Sequence, residues 1–141
     1  MNVRLRAAEP EDREQLARLL AEYLFEFDGR TEPYPFFDAY WTEPDRLPFL
    51  VELDGDAIGL ILIRVMSDGW SIAEFAVVPA RRRLGVGRAA VEALAERARE
   101  AEAPYLEAKV NPNNLEALPF WLAVGFHEVP SPDVTVTRRY L

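Results

Sequence analysis

The sequence has no cysteine and only one histidine among its 141 residues. The chain therefore has no disulfide and no thiol nucleophile, and His127 alone cannot complete a zinc or iron site unless carboxylates supply every other ligand. We expect no metal cofactor. An apolar N-terminal stretch of the kind that directs secretion is also missing, and the longest apolar run, residues 57–63, is far too short to span a membrane. These absences predict a cytoplasmic protein with no membrane partner.

Positive charge is scarce as well, since 16 Lys and Arg residues face 24 Asp and Glu residues and the net charge is −8. Nucleic-acid binding needs a broad positive surface, so we expect no nucleic-acid partner. Hydrophobic residues make up 50% of the chain, which is enough for one substantial core. No repeat, low-complexity tract or linker interrupts the sequence, so residues 1–141 are expected to form one domain, as a monomer or a homodimer.

Hydrophobic periodicity predicts alternating strands and helices. The pair Asp54-Gly55 is a strong signal for a two-residue hairpin between two apolar strands. A strand that follows a helical crossover usually lies parallel to the strand before that helix, which applies here to residues 72–78 and 105–110. In chain order we predict a strand at 3–7, a helix at 10–28, strands at 49–53, 57–65 and 72–78, a helix at 85–102, a strand at 105–110, a short helix from Asn114 and two C-terminal strands, the last at 134–140.

The segment between Glu74 and Ala90 combines a strand, a cluster of arginines and a pair of glycines. An apolar strand ends at Pro79, arginines follow, and Gly85 and Gly87 lie where the next helix begins. The first turn of a helix has unpaired N–H groups and partial positive charge, and glycine lets a phosphate approach the backbone without meeting a Cβ atom. Three side chains add full positive charges, namely Arg82, Arg83 and Arg88. The segment is therefore typical of a site for a phosphate-bearing cofactor.

Three interpretations of this segment are open. Residues 82–87 read R-x-x-G-x-G and follow the V-V-P of residues 77–79, a pattern that resembles the acyl-CoA pyrophosphate motif of the GNAT superfamily of N-acetyltransferases. Residues 85–90 also read G-x-G-x-x-A, a dinucleotide-binding fingerprint with Glu107 about 20 residues further on, although a proline and three arginines separate it from its strand. The third interpretation is a surface turn with solvated arginines.

A second segment carries the same resemblance. Residues 114–126 read N-x-x-A-x-x-x-W-x-x-x-G-F, which resembles the closing helix of the GNAT family and the Gly-Phe pair that begins its next strand. The predicted order of elements also matches that family along the whole chain. The resemblance implies an α/β (α+β) GNAT fold: a single mixed, largely antiparallel central sheet with helices on both faces and a parallel, splayed pair of strands that holds acyl-CoA.

The resemblance also implies a cofactor site. Acetyl-CoA would be the co-substrate, and it would lie between the fourth and fifth strands, where backbone N–H and C=O groups contact its pantetheine arm. The N–H of Val77 would polarise the thioester carbonyl and stabilise the negative charge that develops on its oxygen. The residues assigned to the cofactor in this way are Phe75, Ala76, Val77, Arg82, Arg83, Leu84, Gly85, Val86, Gly87, Arg88, Asn114 and Trp121.

Acetyl transfer to an amine needs a base, because an alkylamine is mostly protonated at neutral pH. Glu74 matches the acidic position that many GNAT members use, one step before the residues that contact the cofactor. Glu107, on the adjoining predicted strand, is the second candidate, since other members place an acid there. The alternative for Glu74 is a strand carboxylate that faces solvent.

The sequence departs from the family pattern at the position of the acid that would protonate the departing thiolate. Many relatives have tyrosine where this chain has Trp121, and an indole N–H donates a hydrogen bond but no useful proton. An ordinary thiol has a pKa only modestly above neutral pH, so the thiolate can also leave unaided. Tyr23, Tyr34 and Tyr140 are possible substitutes. Pro119 should kink the following helix if that helix starts at Asn114.

Residues 21–49 are the expected source of the acceptor wall, by analogy with the family. They hold nine of the 16 aromatic residues, together with seven acids and two bases. Aromatic and acidic groups together suit a cationic amine, although such rings more often belong to a helical core than to a cation-binding site. We therefore predict an acetyl-CoA-dependent N-acetyltransferase that acts on a primary amine of a small cationic molecule or peptide. A non-catalytic acyl-CoA-binding module of the same fold is the alternative, and a nicotinamide-dinucleotide enzyme is a distant third.

Overall fold

A computed structural model describes residues 2–141 as three α-helices and seven β-strands. The helices are α1 (Arg13–Asp28), α2 (Val86–Glu100) and α3 (Ala117–Ala123). The strands are β1 (Val3–Ala7), β2 (Arg46–Leu53), β3 (Asp56–Val65), β4 (Trp70–Val77), β5 (Tyr105–Val110), β6 (His127–Val129) and β7 (Thr135–Tyr140). Short 3₁₀ turns lie at Pro10–Asp12, Asp38–Trp41 and Pro79–Arg81. Within residues 2–141, no helix is both long and apolar enough to cross a membrane.

All seven strands form one sheet in the order β1-β2-β3-β4-β5-β7-β6. The β4–β5 pair is parallel and the other five pairs are antiparallel. The two parallel strands are joined by a crossover through α2, as the spacing of the predicted elements requires. The predicted fold class, a mixed and largely antiparallel sheet with one parallel pair, is confirmed.

The parallel strands separate after a short paired stretch. β4 pairs with β5 only from Trp70 to Ile72, opposite Leu106 to Ala108. Ala73 is an extra residue in β4, since Ile72 faces Ile63 of β3 whereas Glu74 faces Leu62. Such a bulge increases local twist and bends its strand. Beyond it, β4 stays with β3 and β5 stays with β7, so a gap opens between the two parallel strands.

The β2–β3 hairpin forms where the sequence predicts it. Asp54 and Gly55 have φ angles of 50° and 92°, which suit a two-residue turn of the twisted type. β2 begins earlier than predicted, at Arg46, and it includes Pro48. The carbonyl of Pro48 accepts a hydrogen bond from the N–H of Ala8 at 2.9 Å, so the missing N–H also points away from β3. The proline therefore removes no hydrogen bond from the β2–β3 ladder.

The sheet separates two hydrophobic clusters. Four leucines of α1 pack on one face against alternate residues of the central strands; this cluster includes Leu16, Leu19, Leu20, Leu24, Leu50, Leu60, Leu62 and Ala76. Helix α2 packs on the other face together with α3; this cluster includes Val86, Ala90, Leu94, Ala98, Ile61, Ile63, Val77, Leu106 and Trp121. Because strand side chains alternate, adjacent residues of β4 serve different clusters.

The third helix corrects one prediction. It begins at Ala117 instead of Asn114, so Pro119 is its third residue. The first N–H groups of a helix have no partner within it, and a proline there removes no helical hydrogen bond. The predicted kink at Pro119 is therefore wrong.

Candidate active site

A cleft of about 1120 Å³ opens where β4 and β5 separate. Its walls come from the last turns of α1, the turn at 82–88, the loop at 111–116 and α3. The predicted base Glu74 lines this cleft. Most of the residues predicted to contact a cofactor line it as well, namely Phe75, Ala76, Val77, Arg82, Arg83, Gly85, Gly87, Arg88, Asn114 and Trp121. Leu84 lies on the exposed outside of the turn, and Val86 is fully buried against the sheet.

The register of β4 determines which backbone groups face the cleft. The N–H of Val78 donates to the carbonyl of Ile58 on β3 at 2.8 Å. Backbone groups alternate in direction along an antiparallel pair, so those of Val77 and Phe75 point away from β3 and into the gap. Those of Ala76, opposite Leu60, point toward β3 instead. The prediction that Ala76 offers its backbone to a cofactor is therefore corrected, because β3 already takes those groups.

The turn at 82–88 delivers the first N–H groups of α2 to the edge of the cleft. Gly85 caps the helix with φ = 80°, a left-handed conformation that glycine adopts without strain. Gly87 is small for a second reason, because a Cβ atom there would lie 3.0 Å from Cε1 of Phe120. Phosphate approach is therefore not the only reason for glycine at this position, because the ring of Phe120 also packs on it.

The three predicted phosphate-binding arginines differ in their contacts. Arg83 donates to Glu116 at 2.8 Å, but both side chains are more than 80% exposed, so solvent screens this pair. Arg88 donates to the carbonyl of Ala123 at 2.8 Å. Arg82 is held by Glu26 through two hydrogen bonds of 2.6 Å. Arg83 and Arg88 therefore have most of their donors available to a ligand, whereas Arg82 has fewer.

Glu74 lies on the α1 face of β4, half-buried at the cleft. Burial raises the pKa of its carboxyl group to about 7, with the positive charge of Arg30 lowering it and the negative charge of Asp28 raising it. The negative charge of Glu74 also acts on three tyrosines. Burial and the charge of Glu74 raise the pKa of Tyr23 to about 12, and the same two causes raise the pKa of Tyr34 and Tyr40. A carboxyl group with a pKa near 7 is well matched to general-base chemistry at neutral pH.

The structure does not bring Glu107 to this place. Its carboxylate accepts a hydrogen bond from Nε of Arg138 at 2.9 Å, and it is not among the residues that line the cleft. Its neighbour on β4 is Ser71, three residues before Glu74. Arg138 in turn lies over the ring of Tyr105 at 4.2 Å. Glu107 therefore belongs to a pair of interactions on β5 and β7 outside the cleft.

Trp121 is the centre of an aromatic cluster at the base of the cleft. Its ring lies 5.8 Å from that of Phe75, 5.0 Å from Phe120 and 4.9 Å from Phe126. Asn114 closes the turn before α3, where its side-chain oxygen accepts a hydrogen bond from the N–H of Glu116 at 3.2 Å.

The three tyrosines suggested as substitute acids lie in different places. Tyr23 lines the cleft, and Tyr34 is close enough to Glu74 to feel its charge. Tyr140 stacks instead on His127 at 5.3 Å, at the far edge of the sheet. Tyr140 is therefore the substitute that the fold places away from the other site residues.

The aromatic and acidic groups of residues 21–49 already interact within the chain. Arg13 lies over the rings of Phe37 and Trp41, and Arg46 lies over those of Phe36 and Tyr40. Four of the seven acids form ion pairs with arginines, namely Glu26, Asp28, Asp38 and Glu43. Most of the aromatic and acidic side chains that predicted a cation-binding wall thus already contact arginines of this chain.

Arg30 also lines the cleft, and it was not predicted as a site residue because it is one base among many acids in the sequence.

Among residues 2–141, no three His, Cys, Asp or Glu side chains are grouped closely enough to hold a metal ion. The site therefore consists of a buried carboxyl group, inward-facing backbone groups of β4 and a basic helix start.

Comparison with known proteins gives concordant matches. The profile of the Acetyltransferase (GNAT) family matches residues 13–126. An N-alpha-acetyltransferase of Sulfurisphaera tokodaii is 32% identical over 113 residues, in a match that covers 69% of this chain. The chain spans 66% of that protein's length, just under two thirds. An acetyltransferase of Thermus thermophilus has a similar structure, with a TM-score of 0.84 and 22% identity over 100% of this chain and 98% of the other. PaiA N-acetyltransferase of Thermoplasma acidophilum, solved with coenzyme A, gives a TM-score of 0.79 and 13% identity over 100% of both chains.

Proposed function

Because the chain belongs to the Acetyltransferase (GNAT) family, we propose that it transfers an acetyl group from acetyl-CoA to a primary amine of a small cationic molecule or a peptide. The observation that carries this proposal is the position of Glu74. Its carboxyl group, with a pKa raised to about 7, lies at the cleft three residues before Val77, whose N–H points into the same space. The proposed base and the proposed oxyanion donor therefore both lie on β4.

The residues present fit acetyl-CoA. Its polyphosphate portion would lie at the start of α2, where backbone N–H groups, Arg83 and Arg88 face the cleft. Its pantetheine arm would run along the gap, beside the inward-facing backbone groups of Phe75 and Val77. The thioester supplies an activated acyl group when bound, and the aromatic cluster around Trp121 excludes water from that end of the cleft.

Glu74 takes a proton from the attacking amine in this proposal. The amine nitrogen forms a bond to the thioester carbonyl carbon, the N–H of Val77 stabilises the oxygen, and the carbon–sulfur bond then breaks. The sulfur leaves as thiolate, as an ordinary thiol can near neutral pH. The Tyr23 hydroxyl group, with a pKa raised to about 12, remains protonated and can donate a hydrogen bond within the cleft.

The pKa of Glu74 favours an α-amine as the acceptor over the side-chain amine of a lysine. A base with a pKa of about 7 lies close to the usual α-amino pKa of about 8 and far from that of a lysine side chain, about 10.4. The relative from Sulfurisphaera tokodaii is named an N-alpha-acetyltransferase, which supports the same choice. The N-terminus of a peptide is therefore the first acceptor to test.

Thiol release from acetyl-CoA, measured across a panel of amines, tests this function. The panel should contain peptides with a free α-amine, the same peptides with the α-amine blocked, and small polyamines. Thermal stability with acetyl-CoA or NAD provides a second readout, because a ligand at a hundredfold its dissociation constant adds about 2.7 kcal/mol. Release with an amine supports the proposal, stabilisation by acetyl-CoA without release indicates the acyl-CoA-binding module, and stabilisation by NAD alone contradicts both.

A further inference from the structure

Arg82 bridges two elements of the cleft. Its Nη1 and Nη2 atoms each donate to one carboxylate oxygen of Glu26 on α1, both at 2.6 Å. Its Nε atom donates to the carbonyl of Val77 at the end of β4, at 2.7 Å. A guanidinium group has five N–H donors in a fixed plane, and three of them are used here. A phosphate at Arg82 would have to compete with a two-point carboxylate contact.

The peptide group between Val77 and Val78 is held from both sides. Its carbonyl oxygen accepts the hydrogen bond from Arg82, and its N–H donates to the carbonyl of Ile58 at 2.8 Å. The adjacent N–H of Val77 is the group proposed above to stabilise the oxygen of the reacting thioester. A small rotation of this peptide would therefore move the oxyanion donor.

The other end of the bridge lies on the acceptor side. Glu26 belongs to the last turns of α1, from which Tyr23 and Phe27 also line the cleft. The hydrogen bonds from Arg82, together with its charge, lower the pKa of Glu26, so the pair stays ionised at neutral pH. The bridge thus connects the wall beside Glu74 to the strand that contacts the cofactor.

We propose that Arg82 is a positioning residue, which holds the end of β4 and the last turns of α1 at a fixed separation for acetyl transfer, instead of a ligand of the cofactor phosphates. The inference rests on the proposed function for its effect on turnover. Its structural part, the mechanical link between α1 and β4, can be tested without turnover.

A second bridge of the same chemistry provides a matched control. Arg139 on β7 donates to both carboxylate oxygens of Glu92 on α2, at 2.6 and 2.9 Å, and to the carbonyl of Val124 at 3.2 Å. Neither Arg139 nor Glu92 lines the cleft. Glu92→Gln therefore removes an equivalent ion pair and leaves the β4 peptide untouched.

The experiment compares Glu26→Gln, Arg82→Gln and Glu92→Gln in turnover, coenzyme A affinity and melting temperature. We expect kcat to fall about tenfold in the first two variants and less than twofold in Glu92→Gln, with the dissociation constant for coenzyme A within about twofold of wild type in all three. The double variant Arg82→Gln/Glu26→Gln should be no slower than either single variant, because each single substitution already breaks the same connection between α1 and β4. A tenfold loss of coenzyme A affinity in Arg82→Gln, with kcat unchanged in Glu26→Gln, would make Arg82 a phosphate ligand and overturn the inference.

Amide hydrogen exchange separates this inference from the proposed function, because it requires no acceptor. Glu26→Gln should increase the exchange rate of the Val78 amide about tenfold, although the substitution is on α1, and Glu92→Gln should not. An unchanged Val78 amide in Glu26→Gln would disprove the link even if the enzyme is active. Faster exchange in a protein that shows no thiol release with any amine would support the link and count against the proposed function alone.

Discussion

The two faces of β4 differ in chemistry although their residues alternate along one strand. On the face toward α1, Glu74 is close to three tyrosines and to the charges of Arg30 and Asp28, and burial raises its pKa to about 7. On the face toward α2, Phe75 packs on Phe120 at 5.6 Å within the aromatic cluster. Adjacent strand residues point to opposite faces, so the buried carboxyl group and the aromatic cluster occupy separate sides of the same element. The two should therefore respond to different substitutions.

Removal of the base should have the largest effect. Glu74→Gln keeps the shape of the side chain but cannot accept a proton from the amine, so kcat/KM should fall by about 10²–10⁴-fold. Coenzyme A should bind with unchanged affinity, since its contacts lie on the strand edge and the other face. Thiol release and calorimetry measure the two quantities. A parallel loss of coenzyme A affinity would show that the faces are not independent.

The same substitution should change stability in a pH-dependent way. The pKa of Glu74 is raised from 4.5 to about 7 in the folded state, so the unfolded state loses its proton first. As the pH rises from about 4.5 to 7, the free energy of unfolding of the wild type should fall relative to that of Glu74→Gln. Above about pH 7 the difference between the two proteins should stay constant. At pH 8.5 the variant should be more stable by about 1–3 kcal/mol, and at pH 4 the two should be equal. Urea unfolding at both pH values measures this, and a variant less stable at pH 8.5 would contradict the burial of the carboxylate.

A substitution on the opposite face should affect binding instead of chemistry. Gly87→Val places new atoms against Phe120, because even a Cβ atom would lie 3.0 Å from Cε1 of that ring. We expect coenzyme A affinity to fall about tenfold while kcat at saturating acetyl-CoA changes less than threefold. Gly55→Ala is the control, since it introduces left-handed strain of about 1 kcal/mol at a turn with open space around it. If it weakens coenzyme A binding equally, the effect of Gly87→Val is general destabilisation.

The smallest effect is expected at Trp121, the position where the family resemblance predicts a tyrosine. Trp121→Tyr and Trp121→Phe remove similar volume from the buried cluster, and they differ only in a hydroxyl group. Because the thiolate can leave without an acid, their kcat values should agree within about threefold. A tyrosine variant more than tenfold faster than the phenylalanine variant would show that the chain lacks an acid it needs.

Local signals in the sequence predicted much of the fold but less of the site. The Asp54-Gly55 hairpin and the glycine start of α2 depend on a few adjacent residues, and both formed where predicted. The predicted start of α3 was wrong because Asn114 closes a preceding turn instead of capping the helix. All three features depend on the conformational preferences of turn residues, which act within a few adjacent positions.

Contacts between distant residues could not be predicted in this way. Arg82 and Glu26 are 56 positions apart, and only the packing of α1 on the sheet brings them together. The raised pKa of Glu74 likewise results from burial, at a place where its charge also raises the pKa of Tyr23, Tyr34 and Tyr40. No pattern around residue 74 indicates this burial. The ion pair between Glu107 and Arg138, which joins β5 to β7 outside the cleft, is likewise a contact between residues 31 positions apart.

The most direct test of a general base at Glu74 is the pH dependence of kcat/KM with acetyl-CoA and an accepted amine. We predict that the wild-type rate rises through a pKa near 7, as Glu74 loses its proton, and that this step is absent from the residual activity of Glu74→Gln. The same step near pH 7 in Glu74→Gln would contradict the account and assign the proton transfer to another group.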